Sequence, residues 1–136
     1  MQGFVVGVAD AYVDRHVSAN VVHIIGAGAV GTVLATYLSQ ARRNVQLVVR
    51  EDELESMAAA HALRVDRVTG RAPVEMPKPA ISSQYQFAAG DTVLICVKHR
   101  DLETIAVQLE AADQQTLTLV PCLNGVGAAT SLRQRF

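Results

Sequence analysis

Six residues of this sequence combine types and spacings that could do chemistry on a phosphorylated ligand. Three glycines follow the apolar run VVHII in the pattern G-x-G-x-x-G, and three polar side chains stand at or just after the ends of later apolar runs. They are Gly26, Gly28, Gly31, Arg50, Lys98 and Asn124. Glycines let a backbone approach a phosphate closely, and a guanidinium or ammonium group binds anions or polarises a carbonyl. These residues can act together only if the fold brings them to one edge.

The elements on either side of the glycines follow from residue patterns. NVVHIIG is short and β-branched and ends at Gly26, which is typical of a buried strand. The next stretch changes to a helical period. Its predicted apolar face consists of Val30, Val33, Leu34, Tyr37, Leu38 and Ala41. Arg42 and Arg43 suit the carboxyl end of this helix, and Asn44 is predicted to end it.

The rest of the chain continues to alternate between strand and helix patterns. Predicted strands are VQLVVR at 45–50, GDTVLICVK at 90–98 and TLTLVP at 116–121. Predicted helices are EDELESMAAAHAL at 51–63, RDLETIAVQLEAA at 100–112 and the tail from 128 to 136. Between them a short hairpin is predicted to turn at Thr69 and Gly70, and the prolines after it exclude a central strand. The alternation predicts an α/β, Rossmann-like fold: a doubly wound, mainly parallel sheet with helices on both faces.

Composition and charge narrow the class of protein. Of the 136 residues, 50% are hydrophobic and 18% charged, and the net charge is −1. We expect no nucleic-acid partner and no membrane association, because Lys and Arg are scattered and no apolar run approaches the ~20 residues that span a bilayer. No signal peptide is predicted, Cys96 and Cys122 are expected to be free thiols, and a cytoplasmic location follows. No metal site is predicted, because the histidines lack ligand spacing.

The glycine pattern predicts a dinucleotide-binding loop between a strand and a helix. Gly26 would permit the tight turn, Gly28 would leave room for a pyrophosphate, and Gly31 would let the helix lie close to the strand. Ala27, Ala29 and Val30 complete the predicted cofactor-binding loop. The helix start would direct free N–H groups and the positive end of its dipole at the phosphates. The competing interpretation is a purely structural glycine turn.

Arg50 bears on which dinucleotide would bind. It ends the second predicted strand, where an enzyme that uses NAD usually carries an acidic residue for the ribose hydroxyls. A cation there favours the 2′-phosphate of NADP, through a charge-assisted hydrogen bond of about 1.5–3 kcal/mol. The alternative is that Arg50 pairs with the acidic residues that follow it, which are Glu51, Asp52 and Glu53.

Lys98 and Asn124 follow two other strands, at the edge where open α/β sheets bind ligands. The ammonium group could neutralise a carboxylate or polarise a carbonyl, and the amide could orient a ligand. The alternatives are a solvated lysine and a turn-forming Asn-Gly pair. His99 and Arg100 lie beside this crevice as lesser candidates, and His23 is predicted to be a core histidine with its hydrogen bonds satisfied.

The motifs HIIGAGAVG, LVVR, VLICVK and LNGVG, in this order, resemble the N-terminal domain of ketopantoate reductases (2-dehydropantoate 2-reductases). The resemblance covers residues 21–136 and implies an NADP(H)-binding domain, with residues 1–20 an extension of unknown role. It implies that Lys98 and Asn124 are catalytic and also border the cofactor, together with Val97. It implies that Arg50 selects NADP. The family's helical C-terminal domain, which supplies the principal catalytic acid, has no counterpart in this sequence.

The function expected from the resemblance is NADPH-dependent reduction of a 2-oxo acid, as in the conversion of ketopantoate to pantoate. A related expectation is a reductase for a different 2-oxo acid. The alternative of another class is a stand-alone NADP(H)-binding module, or half of a split protein, without turnover of its own. Because the face that the helical domain would cover is expected to be apolar, a homodimer is also predicted.

Overall fold

The computed structural model describes residues 20–112 and 116–136, so the predicted extension lies outside the described residues apart from residue 20. The strands are β1 (Val22–Ile25), β2 (Val45–Val48), β3 (Ala62–Val65), β4 (Val74–Pro77), β5 (Ala80–Ser82), β6 (Thr92–Ile95) and β7 (Thr118–Pro121). The helices are α1 (Ala29–Gln40), α2 (Glu51–Ala59), α3 (Leu102–Ala111) and α4 (Ala128–Arg135), and a 3₁₀ turn (His99–Asp101) precedes α3. Within the described ranges, every helix is too short or too polar to cross a bilayer.

A parallel sheet of five strands, in the order β5-β2-β1-β6-β7, forms the centre of the fold. The chain winds outward from β1 in one direction through β2 and β5, and in the other through β6 and β7. The strand order therefore reverses between β1 and β6, which is the place where doubly wound sheets open a crevice. The predicted α/β Rossmann-like class is confirmed.

Buried side chains alternate between the two faces of the sheet. Ile24 and Leu47 belong to one apolar cluster, with Ala35 of α1 and Leu63 of β3. Their neighbours Ile25 and Val48 belong to a second cluster, which contains residues of α3 and α4. Since successive residues of a strand point to opposite faces, a sheet covered on both faces requires strands that are apolar throughout. Burial on both faces is therefore the reason that the strands are continuous apolar runs in the sequence.

The apolar face predicted for α1 is wrong in part: Leu34 and Leu38 of that face pack against an apolar cluster, but other members do not. Val30, Val33 and Tyr37 are exposed by 51%, 38% and 40%, whereas the residues of this helix that are buried are Gly31, Ala35 and Thr36. The helix lies so close to β1 that its contact stripe admits only small side chains. Larger apolar residues of the same helix are therefore displaced to its flanks and its outer side.

Two predicted helix ends also differ from the structure. Arg42, and not Asn44, ends α1: it has φ = 58°, and the N–H of Arg43 donates to the carbonyl of Leu38 at 2.9 Å. This is the hydrogen-bonding pattern of a Schellman motif, normally completed by glycine. The helix predicted over 51–63 ends at Ala59, because Leu63 pairs with Met76 in an antiparallel hairpin and is buried there.

The predicted hairpin is confirmed, with Thr69 and Gly70 in the loop between β3 and β4. The short strand β5 begins immediately after Pro79 and lies at an edge of the main sheet. A proline directly before a strand is compatible with an edge position, where the ladder needs fewer N–H donors. The prolines thus exclude a central strand, as predicted, but still permit an edge strand.

A buried hydrogen bond between His23 and Asp91 joins β1 to the turn before β6. The Nε2 atom of His23 lies 2.7 Å from a carboxylate oxygen of Asp91, and both residues are 2% exposed. Asp91 also accepts hydrogen bonds from the backbone N–H groups of Val21 and Ala88, each at 2.9 Å. The prediction of a fully satisfied histidine is wrong in part, because the Nδ1 atom of His23 is buried with no hydrogen-bond partner among the described residues.

Candidate functional site

A cleft of about 610 Å³ opens at the carboxyl ends of β1, β2, β5 and β6, with α3 as one wall. It lies at the reversal of strand order, so it coincides with the place where the topology predicts a ligand. Residues that line it include Gly26, Ala27, Gly28, Val49, Arg50, Tyr85, Val97, Lys98, Arg100, Thr104, Ile105 and Gln108. Of the predicted cofactor set, Ala29, Val30, Gly31 and Asn124 are not in this lining.

Gly26 makes the turn out of β1 possible. Its φ is +104°, a conformation that residues with a side chain rarely adopt, and a Cβ atom there would lie 2.5 Å from the carbonyl oxygen of Cys96. Its N–H donates to the carbonyl of Val48 at 2.9 Å, which continues the pairing of β1 with β2 past the end of the strand. The turn is therefore held against two neighbouring strands at once.

Gly31 and Gly28 occupy opposite environments. A Cβ atom on Gly31 would lie 1.9 Å from the carbonyl oxygen of Gly26, so close packing of α1 on the loop requires glycine. A Cβ atom on Gly28 would meet nothing within 4 Å. No packing contact in the described part of the protein therefore requires glycine at position 28. The space beside it belongs to the cleft and leaves room for a ligand.

The N-terminus of α1 offers a site for an anion. Gly28 is its N-cap, no side chain caps the helix, and its first turn carries no acidic residue. The first N–H groups of a helix have no intrahelical partner and sit at the positive end of the helix dipole. Together with the open space at Gly28, these groups fit a pyrophosphate.

Arg50 lines the same cleft at the N-cap of α2. Its guanidinium lies 3.2 Å from both Asp52 and Glu53, and its side chain is 70% exposed. These are the acidic pairings that the sequence left open as an alternative. Exposed pairs of this kind contribute only about 0–1 kcal/mol each, so a phosphate in the cleft could displace them. The structure therefore places Arg50 in the lining of the cleft, and its selection of NADP stays a prediction.

Lys98 and Asn124 reach the same edge of the sheet from β6 and β7. Lys98 is exposed, lines the cleft and precedes the 3₁₀ turn. Asn124 is also exposed, and the loop that carries it contacts that turn, since a Cβ atom on Gly125 would lie 3.6 Å from Nδ1 of His99. The fold thus brings both residues to the β6–β7 side, and their catalytic roles stay predictions.

Cys96 packs against the glycine loop, and Cys122 lies beside it. Both are free thiols, with Cys96 buried and Cys122 partly buried. They follow the adjacent strands β6 and β7, and the N–H of Cys122 donates to the carbonyl of Ile95 at 2.8 Å. Burial, reinforced by the neighbouring thiol of Cys122, raises the pKa of Cys96 to about 12. The Cys96 thiol is therefore protonated at neutral pH and is a poor nucleophile.

Sequence reasoning missed the wall of the cleft that lies between β5 and α3. Tyr85, Thr104 and Gln108 line it, and Arg100, a lesser candidate in the sequence, lies there too. Thr104 and Gln108 are four residues apart on a helix, a spacing that places them on one face. That spacing was the available signal, but it does not show which ligand site the face borders.

The strand order, the glycine turn and the open helix N-terminus define a Rossmann-type domain of the class that binds dinucleotides. The sequence profile described as ketopantoate reductase PanE/ApbA matches residues 22–136. The chain belongs to this family, whose members are oxidoreductases that use a nicotinamide cofactor. A comparison with curated protein sequences gives no significant match.

Solved structures with the same fold include two enzyme types. A PanE/ApbA family ketopantoate reductase from Ralstonia eutropha JMP134 is 30% identical with a TM-score of 0.68, over 84% of this chain and 37% of the other. A probable 2-dehydropantoate 2-reductase from Bacillus subtilis is 22% identical (TM-score 0.66; 83% and 36%). A D-mandelate dehydrogenase solved with NADH and anilino(oxo)acetate is 23% identical (TM-score 0.66; 85% and 37%). This chain therefore spans little more than a third of the length of each structure.

Proposed function

We propose that this chain is the NADPH-binding domain of a reductase that converts a 2-oxo acid to a 2-hydroxy acid, as ketopantoate is converted to pantoate. The observation that carries the proposal is the unfilled space at Gly28, at the N-terminus of α1 and in the same cleft as Arg50. The family match supports a nicotinamide cofactor, and the oxo-acid substrate fits the family. The domain comprises residues 21–136, and residues 1–20 form an extension.

Each part of the site has a separate task in this proposal. The loop at Gly26 and Gly28 and the N–H groups of α1 bind the pyrophosphate, and Arg50 binds the 2′-phosphate. NADPH, when bound, supplies a hydride to the C2 carbonyl of the substrate. Lys98 donates a hydrogen bond that polarises this carbonyl or neutralises the substrate carboxylate, and Asn124 orients the substrate.

The proposal assigns the proton for the resulting alkoxide to a group outside this domain, because the chain spans little more than a third of its structural relatives. We also propose that the domain functions in the cytoplasm and pairs with a second copy or with a helical domain. Val30, Val33 and Tyr37 of α1 supply exposed apolar surface that supports such pairing.

The direct test of the function mixes the 136-residue chain with NADPH and ketopantoate and follows the absorbance of the reduced cofactor. Binding is measured separately by the fluorescence of NADPH. Turnover supports the reductase, whereas tight binding without turnover favours the second candidate, a binding module or half of a split protein. No binding of NADPH would contradict both.

Lys98→Ala is expected to separate these two candidates further. We expect turnover to fall by about 10²-fold or more, because a donor aimed at a developing oxyanion is worth that much, while the Kd for NADPH changes far less. Steady-state kinetics and fluorescence titration give the two values. Lys78→Ala is the matched control, because Lys78 bonds to the carbonyl of Ala58 and is not in the lining of the cleft. Unchanged turnover in Lys98→Ala would remove its assigned role.

Arg50→Gln tests the choice of cofactor. We expect the affinity for NADPH to fall about 10- to 100-fold, with little change for NADH, because only NADPH carries the phosphate that pairs with the guanidinium. Fluorescence titration with each cofactor measures both values. Arg71→Gln is the control, since Arg71 is an exposed arginine in the hairpin loop. An equal loss for both cofactors would show that Arg50 only shapes the loop.

A further inference from the structure

Tyr85 lines the cleft, and it belongs neither to the glycine motif nor to the predicted catalytic residues. It follows β5 by three residues and is partly buried. Its ring meets that of Phe87 edge to face, with centroids 6.2 Å apart at 90°, and Phe87 meets His23 in the same way at 4.8 Å and 88°. Because His23 is hydrogen-bonded to Asp91, this series of rings connects Tyr85 to the buried core.

Among the described residues, no group forms a hydrogen bond with the hydroxyl of Tyr85. Burial raises the pKa of Tyr85 to about 12, so the phenol is neutral at physiological pH. Tyr85 is only partly buried and its hydroxyl is not among the fully buried polar atoms, so it stays accessible to a hydrogen-bond partner. A ligand in the cleft would supply one.

The position of Tyr85 indicates which part of a ligand it would meet. In the sheet, β5 lies next to β2, and β2 lies next to β1. Tyr85 follows β5, lines the same cleft as Arg50, and packs against the apolar cluster on the α3 face of the sheet. In the proposed function, the pyrophosphate lies at the end of β1 and the 2′-phosphate at Arg50. The group attached beyond that ribose is the adenine base.

The residues around this end of the cleft suit a flat heteroaromatic base. Val49 and Ile105 are apolar, while Thr104 and Gln108 of α3 offer polar groups for ring nitrogens. Aromatic side chains bind nucleobases by contact between π-systems, and tyrosine adds a hydroxyl that can hydrogen-bond the edge of the base. The ring face and the hydroxyl of Tyr85 would then both contact the base.

We propose that Tyr85 contacts the adenine of the bound dinucleotide and is a specificity-determining residue for the base end of the cofactor. The inference rests on the proposed NADPH-binding function. It adds to that function an aromatic contact that the glycine loop, Arg50 and Lys98 do not supply.

A fluorescence experiment on Tyr85 itself tests the proposal without altering the residue. The chain has three tyrosines and no tryptophan, so the double substitution Tyr12→Phe and Tyr37→Phe leaves Tyr85 as the only source of tyrosine fluorescence. Titration with 2′,5′-ADP, which carries the base, the 2′-phosphate and one 5′-phosphate but no nicotinamide, is expected to quench this emission saturably. Calorimetry follows binding in parallel. If 2′,5′-ADP binds and the emission of Tyr85 does not change, the proposal is wrong.

Substitutions measure how much the contact contributes. Tyr85→Leu is expected to weaken the binding of NADPH and of 2′,5′-ADP by the same factor of about ten, and Tyr85→Phe by less, because it keeps the ring. Phe136→Leu, at an exposed aromatic residue outside the cleft lining, is the control and should change neither affinity. Thermal melts establish that each variant is folded, and if Tyr85→Leu is not, Tyr85→Phe and the quenching experiment decide.

The outcomes distinguish this inference from the function on which it rests. Failure of the unaltered chain to bind NADPH overturns the proposed function and the inference together. Tight binding of NADPH that Tyr85→Leu leaves unchanged overturns the inference alone. Equal losses for NADPH and 2′,5′-ADP support it, since the shared part of the two ligands is the adenosine end.

Discussion

Replacing Gly31 with alanine is expected to lower the free energy of unfolding by about 3 kcal/mol or more, whereas the same change at Gly28 leaves stability nearly unchanged. At Gly31 the added methyl group would lie 1.9 Å from the backbone oxygen of Gly26, and backbone cannot rotate away as a side chain can. At Gly28 the methyl group meets open space, and φ = −74° with ψ = −167° suits alanine.

Among variants that fold, the affinity for NADPH should be lowered by the substitution at Gly28 and not by the one at Gly31. Gly28→Ala is expected to bind NADPH at least about tenfold more weakly, because its methyl group occupies the space proposed for the pyrophosphate. Urea denaturation gives the stability of both variants, and fluorescence titration gives the affinity. Each variant is the matched control of the other. Equal stability losses at the two positions would contradict the packing role of Gly31, and unchanged affinity in Gly28→Ala would contradict the phosphate site.

Asp91→Ala is expected to cost about 3–5 kcal/mol of stability, because it removes the shared acceptor of three buried or partly buried hydrogen bonds. The substitution leaves Nε2 of His23 and the N–H groups of Val21 and Ala88 without their acceptor. Urea denaturation measures the loss. Asp66→Ala is the control, since Asp66 pairs with Arg64 on an exposed surface where such a contact contributes little. A loss no larger than that of the control would show that the buried pair does not stabilise the fold.

The same carboxylate predicts a dependence of stability on pH. Burial disfavours ionisation of Asp91, but hydrogen bonds from Ala88, Val21 and His23 outweigh it and lower the pKa below its ordinary value. A carboxyl group with a lowered pKa stabilises the folded state above about pH 4, and that contribution is lost as the pH falls through the folded-state value. Denaturation curves between neutral and acidic pH should therefore show a smaller acid-induced loss in Asp91→Asn. A loss equal to that of the unaltered chain would assign it to other groups.

How much of the fold could be predicted from the sequence depended on how far apart in sequence the interacting residues are. The glycine turn and the alternation of strands and helices were predictable, because steric freedom at glycine and the period of apolar residues are properties of neighbouring residues. The hairpin at Thr69 and Gly70 was predictable for the same reason. The apolar face of α1 was not, because a helix with apolar residues on several sides does not show which side meets the sheet. Only the close approach at Gly31 selects the small-residue stripe.

The candidate site also has a part that the local sequence determines and a part that depends on the tertiary structure. The sequence by itself determined its backbone: a strand, a glycine loop and a helix N-terminus within about a dozen residues, and the strand ends that carry Arg50 and Lys98. The tertiary structure decided which side chains share the cleft, because strand order sets the neighbours of each strand end. It brought Tyr85 into the same cleft as Arg50, put Asn124 outside the cleft lining, and joined His23 to Asp91 across 68 residues. Contacts between residues so distant in sequence leave no periodic signal, and they exist only once the sheet is wound.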